Sequence, residues 1–181
     1  MPQSTIPGEH TSPTQPFPTK PAPFAVQSFT ADDIDPFLPE SEQATLRARM
    51  RTSRNEGLFT PPSFEGSISM PGHNGGANWA SSAVDPVNGE LYVVSKNLPV
   101  MLHAELTDED PSARVIVGTV VTPEQAAGAL AQAKAAAAKG PIRIAVPYDF
   151  LRSPTNGLTA IGPPWSHITA YDLNTGEIKL R

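Results

Sequence analysis

The chain has no cysteine, so it can build neither a disulfide framework nor a thiolate metal site. It has no apolar run of about 18 residues, the length a membrane helix requires. It also lacks a basic cluster. Its 13 Lys and Arg stand against 18 Asp and Glu, and the net charge of −5 argues against nonspecific attachment to nucleic acid. No nucleotide-binding glycine motif and no serine-nucleophile motif occurs. The opening Met1-Pro2-Gln3-Ser4 has neither the basic start nor the apolar middle of a secretory signal. It therefore reads as the start of a cytoplasmic protein or as an interior section of a longer one.

What is abundant is punctuation. The chain has 21 prolines and 13 glycines against 39% hydrophobic residues, which implies many turns and a modest core within one domain's length of 181 residues. The most informative stretch runs from Met70 to Pro99. Gly72, Gly75 and Gly76 permit left-handed backbone angles and close approach. Asp85-Pro86-Val87-Asn88-Gly89 predicts a tight turn, and Leu91 to Val94 a buried strand that ends in Ser95-Lys96-Asn97.

In order and spacing, several unusual pieces agree with one family. Phe59 to Ser63 (Phe-Thr-Pro-Pro-Ser), Pro71 to Trp79 (Pro-Gly, glycines, Asn-Trp), Val84 to Pro86 and Leu91 to Val93 together resemble the pyrroloquinoline-quinone (PQQ) dependent dehydrogenases of the membrane glucose dehydrogenase type. Ala170, Asp172, Thr175 and Gly176 match the tryptophan-docking motif repeated around quinoprotein propellers, with Leu180 where the tryptophan belongs. The resemblance implies a mainly β chain with inserted helices, roughly two blades of an eight-bladed quinoprotein β-propeller, which cannot close a ring alone. It also favours an interior section of a longer enzyme over a separate cytoplasmic protein.

Two regions are expected. Residues 1–57 form a proline-rich arm and short helices, and residues 58–181 a partial propeller with a helical insertion at 123–139. By composition the lead over residues 1–28 reads as an extended arm or linker. The resemblance instead implies an ordered excursion over the propeller surface, carried by Pro7-Gly8-Glu9 and Thr11 to Pro18 and anchored by Phe17 and Phe24. Thr30 caps a short helix. Glu40 to Arg54 predicts a second, with Ala44, Met50 and Leu46 inward and Arg47, Arg49 and Arg51 outward. Strands are expected at 66–70, at 114–121 and at 142–146, residues 100–106 read as strand or loop, and residues 147–164 read as a loop. Thr122-Pro123-Glu124-Gln125 is a capping box, and its alanine-rich helix reads as a surface insertion ended by Gly140. Turns at Asp85 and Asp172 read as two blade hairpins.

For the site, the resemblance implies PQQ in the propeller funnel and a Ca²⁺ ion acting as Lewis acid. The substrate would be a sugar, polyol or alcohol, with electrons leaving to quinone or cytochrome in a periplasmic or periplasm-facing enzyme. Asn97 is the first candidate for cofactor contact, since an amide offers donor and acceptor without charge; the bland alternative closes a turn before Leu98-Pro99. Asn78 and Trp79 follow as cofactor-binding candidates, although a buried blade tryptophan is the commoner role. His73 reads as polar filler and Trp165 as packing. His10, His103 and His167 have no metal spacing. Asp32, Asp33, Asp35, Glu40, Asp108, Glu109 and Asp110 read as exposed acids. No catalytic residue and no metal ligand is assigned: in the family the catalytic aspartate, its basic partner and the Ca²⁺ ligands lie on other blades. The chain alone is then expected to be inactive and to need the missing blades as partner. The competing reading is a non-catalytic propeller remnant or a binding or scaffold module.

Overall fold

The computed structural model describes residues 1–108 and 121–181. Glu109, Asp110 and all but the last residue of the strand expected at 114–121 lie outside them. The described part is mainly antiparallel strand with two α-helices.

The principal sheet has four strands in the order β2 (Ser82–Asp85), β3 (Glu90–Lys96), β8 (Ser166–Asp172), β9 (Ile178–Leu180). Its two turns form as their residue types dictate. The Asp85 carboxylate accepts the N–H groups of Val87 (2.9 Å) and Asn88 (3.2 Å). That of Asp172 accepts those of Asn174 (2.7 Å) and Thr175 (3.1 Å). The pairing Leu91↔Tyr171 and Val93↔Thr169 brings both turns to one end of one sheet, where the Leu173 N–H donates to the Gly89 carbonyl at 2.8 Å. The two hairpins are thus halves of the same four-stranded unit, although about seventy residues of chain separate β3 from β8. Among the described residues the sheet is open at β2 and β9, and no ring closes.

A three-stranded sheet, β1 (Ser67–Ser69), β4 (Val100–Leu102) and β7 (Tyr148–Phe150), and a two-stranded one, β5 (Glu105–Leu106) with β6 (Ile144–Ala145), are built largely from the excursion between β3 and β8. β7 falls within the stretch read as a loop; three residues are too few to show a period. β1, β4 and their flanks share the main core with the N-terminal region: Ile68, Met70 and Met101 pack with Phe29, Ile34, Leu38 and Leu46.

Helix α1 (Glu40–Thr52) buries Leu46 and packs Met50 against that core, as expected, but Ala44 is exposed. At 100° per residue, positions 42, 46, 49 and 50 share a face and 44 lies opposite. Arg49 consequently turns inward and pairs with Asp149 at 3.4 Å. Helix α2 (Pro123–Ala137) starts at its capping box: the Thr122 hydroxyl accepts the Gln125 N–H, and the Gln125 side chain accepts the Thr122 N–H at 2.8 Å. Its small residues do more than cover a surface. Ala126 and Ala133 are buried, and Ala133 packs with Phe64 and Ala104 in a second apolar cluster that Ala129 and Leu130 flank. No described helix is long and apolar enough to cross a membrane.

Candidate functional site

Four chain segments meet at the end of β3. Lys96 donates its N–H to the Gly76 carbonyl at 2.8 Å, which ties the glycine loop to the strand. The Ser95 hydroxyl donates to the Phe24 carbonyl at 3.1 Å, which ties in the N-terminal arm. Close approach demands glycine at two points. A Cβ on Gly72 would overlap the Leu98 carbonyl oxygen, and one on Gly76 the Ala25 methyl.

Asn97 sits at this junction and is 3% exposed. Its main-chain N–H donates to the Trp165 carbonyl and its Nδ2 to the Pro164 carbonyl, both at 2.7 Å. Its Oδ1 is buried with no partner among the described residues. The amide is therefore oriented: one N–H of its NH2 is engaged and the acceptor is free. Leaving a buried acceptor unpaired costs about 1–3 kcal/mol. An amide, an indole and peptide carbonyls move no proton near neutral pH, so the groups touching Asn97 can bind and orient a ligand but not act as its base.

The other two candidates lie elsewhere on the glycine loop. Asn78 is exposed, and its Oδ1 accepts the Trp79 N–H at 2.7 Å within its own turn. Trp79 is 93% exposed, so the expectation of a buried blade tryptophan fails: its turn projects the ring outward. His73 stacks on Tyr148 with ring centroids 4.2 Å apart, a contact invisible in sequence because the two lie so far apart along the chain. Phe17 meets Phe59 edge to face at 5.8 Å, while in the arm Ala25 is buried more deeply than Phe24.

Sequence reasoning also misplaced an acid. Asp35, read as exposed, is fully buried. Its Oδ1 accepts the Phe37 N–H at 2.8 Å, and its Oδ2 accepts the Trp165 indole N–H at 3.3 Å. The available signal was its position between Ile34 and Pro36-Phe37, an apolar setting for a carboxylate. His103 is also buried, with neither ring nitrogen partnered among the described residues. Burial first, and then the Arg49 charge, hold its pKa below the ordinary value. Among the described residues no three His, Asp or Glu side chains gather as a metal site.

Two cavities flank these elements. One, of about 590 Å³, lies between the arm and the principal sheet and is lined by Phe24, Leu91, Val93 and Tyr171. The other, of about 320 Å³, lies between α1 and β7 beside the Arg49–Asp149 pair.

Comparison with known proteins agrees with this architecture. The family model described as PQQ glucose/ethanol/alcohol dehydrogenase, beta-propeller domain, matches residues 1–181. The glycerol dehydrogenase large subunit of Gluconobacter oxydans (strain 621H) is 29% identical over 177 residues, covering 95% of this chain and 23% of the relative. The quinoprotein glucose dehydrogenase of Escherichia coli (strain K12) is 29% identical over 187 residues, 98% of this chain and 21% of the relative. The quinate/shikimate dehydrogenase (quinone) of Acinetobacter baylyi is 28% identical over 179 residues, 96% and 20% respectively. No solved structure gives a significant match. This chain thus spans between 20% and 23% of the length of these relatives. With an open four-stranded antiparallel sheet and a match along its whole length, the chain belongs to the β-propeller family of PQQ-dependent glucose, ethanol and alcohol dehydrogenases.

Proposed function

We propose that the chain works as one section of a PQQ-dependent dehydrogenase that oxidises a sugar, polyol or related hydroxyl compound and passes electrons to quinone or cytochrome. The observation that carries this reading to the residue level is the buried, unpartnered Oδ1 of Asn97. PQQ's carboxylates, quinone oxygens and pyridine nitrogen all accept hydrogen bonds, whereas its pyrrole N–H donates. An amide with one N–H engaged and its oxygen free fits that N–H. When bound, the quinone supplies the hydride acceptor. This chain's part is to orient it and to exclude water. Trp79, exposed beside Asn78 on the glycine loop, offers a flat ring for a ligand or a neighbouring blade to cover.

The catalytic base, its basic partner and the Ca²⁺ ligands are assigned to the remaining blades, which are the partner this section requires. The parent enzyme is placed in the periplasm or facing it. One observation favours the second reading, a non-catalytic propeller piece: the Asn97 oxygen is enclosed, so a ligand reaches it only when its cover gives way.

Titration of the purified chain with PQQ and Ca²⁺, followed by cofactor absorbance and dye-linked turnover with glucose and simple alcohols, tests this. The chain alone is expected to show no turnover. Supplying the remaining propeller section is expected to restore binding, and Asn97→Ala to weaken it about tenfold, the scale of one buried hydrogen bond. Binding that ignores Asn97→Ala would remove the assignment. No binding under either condition would select the non-catalytic reading.

A further inference from the structure

Asp35 is completely buried, and among the described residues no Lys or Arg pairs with it. A buried carboxylate without a cation is unfavourable unless strong donors reach it. It has two, the Phe37 N–H on Oδ1 and the Trp165 indole N–H on Oδ2. The first closes a local turn that an asparagine would close equally well. The second joins residues 130 positions apart.

Its surroundings are rigidly stitched. The Asp35 N–H donates to the Ala160 carbonyl and the Gly162 N–H to the Asp33 carbonyl, both at 2.8 Å, and Ile34 bridges to Ile161. Trp165 is 41% exposed, so hydrophobic burial alone does not decide where its ring lies. Its N–H does, shared between Asp35 and the Ile161 carbonyl at 3.1 Å. The carbonyls of Pro164 and Trp165 then receive one side-chain N–H and the main-chain N–H of Asn97.

We infer that Asp35 and Trp165 are positioning residues that hold the 164–165 peptide so that the Asn97 side chain keeps an N–H engaged there and presents its free oxygen to a ligand. The functional meaning of this relay rests on the reading of Asn97 as the cofactor contact. The relay itself does not. It selects a ligand edge that donates a hydrogen bond at this point over one that accepts.

The test is nitrogen–proton correlation spectroscopy on the full chain, with the Asn97 side-chain NH2 pair identified by its loss in Asn97→Ala. Trp165→Phe removes the indole donor, and Asp35→Ala its acceptor. Each is expected to shift that pair and to speed its hydrogen exchange about tenfold, the equivalent of one net hydrogen bond. Asp35→Asn keeps one oxygen for two donors: with that oxygen on the Phe37 N–H the local turn stays closed while the NH2 meets the indole, so it is expected to speed the exchange as Trp165→Phe does, a loss that a merely structural role in the turn would not produce. Unchanged α2 backbone resonances confirm that the variants are folded. If Asp35→Ala fails to fold, Trp165→Phe and Asp35→Asn decide. An Asn97 pair indifferent to Trp165→Phe, or unmoved in Asp35→Asn, overturns the relay. Addition of PQQ together with the remaining propeller section then separates the two claims: if the wild-type pair does not move, the cofactor reading fails while the exchange result stands.

Discussion

At the scale of single residues, close approach and burial decide what can be changed. A methyl on Gly72 would overlap the Leu98 carbonyl oxygen and crowd the Val100 side chain, and a backbone oxygen cannot swing aside. Gly72→Ala is expected to destabilise the fold by about 2–3 kcal/mol, read as a lower urea midpoint at unchanged slope. His103 makes stability depend on pH. Its folded pKa lies below the ordinary 6.5, so the native ring stays neutral while the unfolded ring takes up a proton first. Its contribution is therefore complete above about pH 6.5 and is lost as pH falls from there toward the depressed value. Melting temperature should drop as pH falls through this window, and His103→Gln should flatten that drop; an unchanged slope would refute the assignment. Composition shows that such residues exist, but not their surroundings. Asp35 differs from Asp32 in sequence only by its apolar neighbours, and the 160–162 segment that bridges to Ile34 beside it is far away in the chain.

At the scale of elements, local chemistry was most legible where it closes on itself. The capping box of α2 and the Asp-led turns at Asp85 and Asp172 depend on near neighbours in the chain, and all formed. Thr122→Ala should cost about 1 kcal/mol in thermal or urea unfolding, as for other lost N-caps. The side on which α2 docks was not legible, because a run of alanines has no stronger face to display. Ala133 touches Phe64 and Ala104 with no exposed surface, so Ala133→Leu should destabilise by about 1–3 kcal/mol through overpacking, whereas Ala131→Leu on the exposed side should not. Short strands such as β7 escape sequence reading for a different cause: their pairing with β4 comes from the chain's path and not from their own pattern.

At the scale of the whole molecule, the principal sheet is finished on one side only. Val93, Thr169 and Tyr171 turn toward the arm, whose Ala22 carbonyl accepts the Tyr171 hydroxyl. On the opposite face Val94 and Ile168 sit directly across from each other at 48% and 55% exposure, with Leu180 also uncovered. Together with the open edges of β2 and β9, this apolar face should drive self-association of the isolated chain. Sedimentation should show concentration-dependent oligomers, and Ile168→Lys should shift them toward monomer. A monomer at all concentrations would mean that this face is tolerated in water.

The sequence alone determined the family, the mainly β character, the turns and the caps, because each rests on residue types at short fixed spacings. Tertiary structure decided what those spacings cannot express. It joined the two hairpins across a long intervening excursion, buried Asp35 under a distant segment, sent Trp79 outward, and engaged one side-chain N–H of Asn97 while leaving its oxygen free. The physical reason is the same in each case. Burial and hydrogen-bond satisfaction belong to the surroundings of a group, and those surroundings are assembled from segments far apart in the chain.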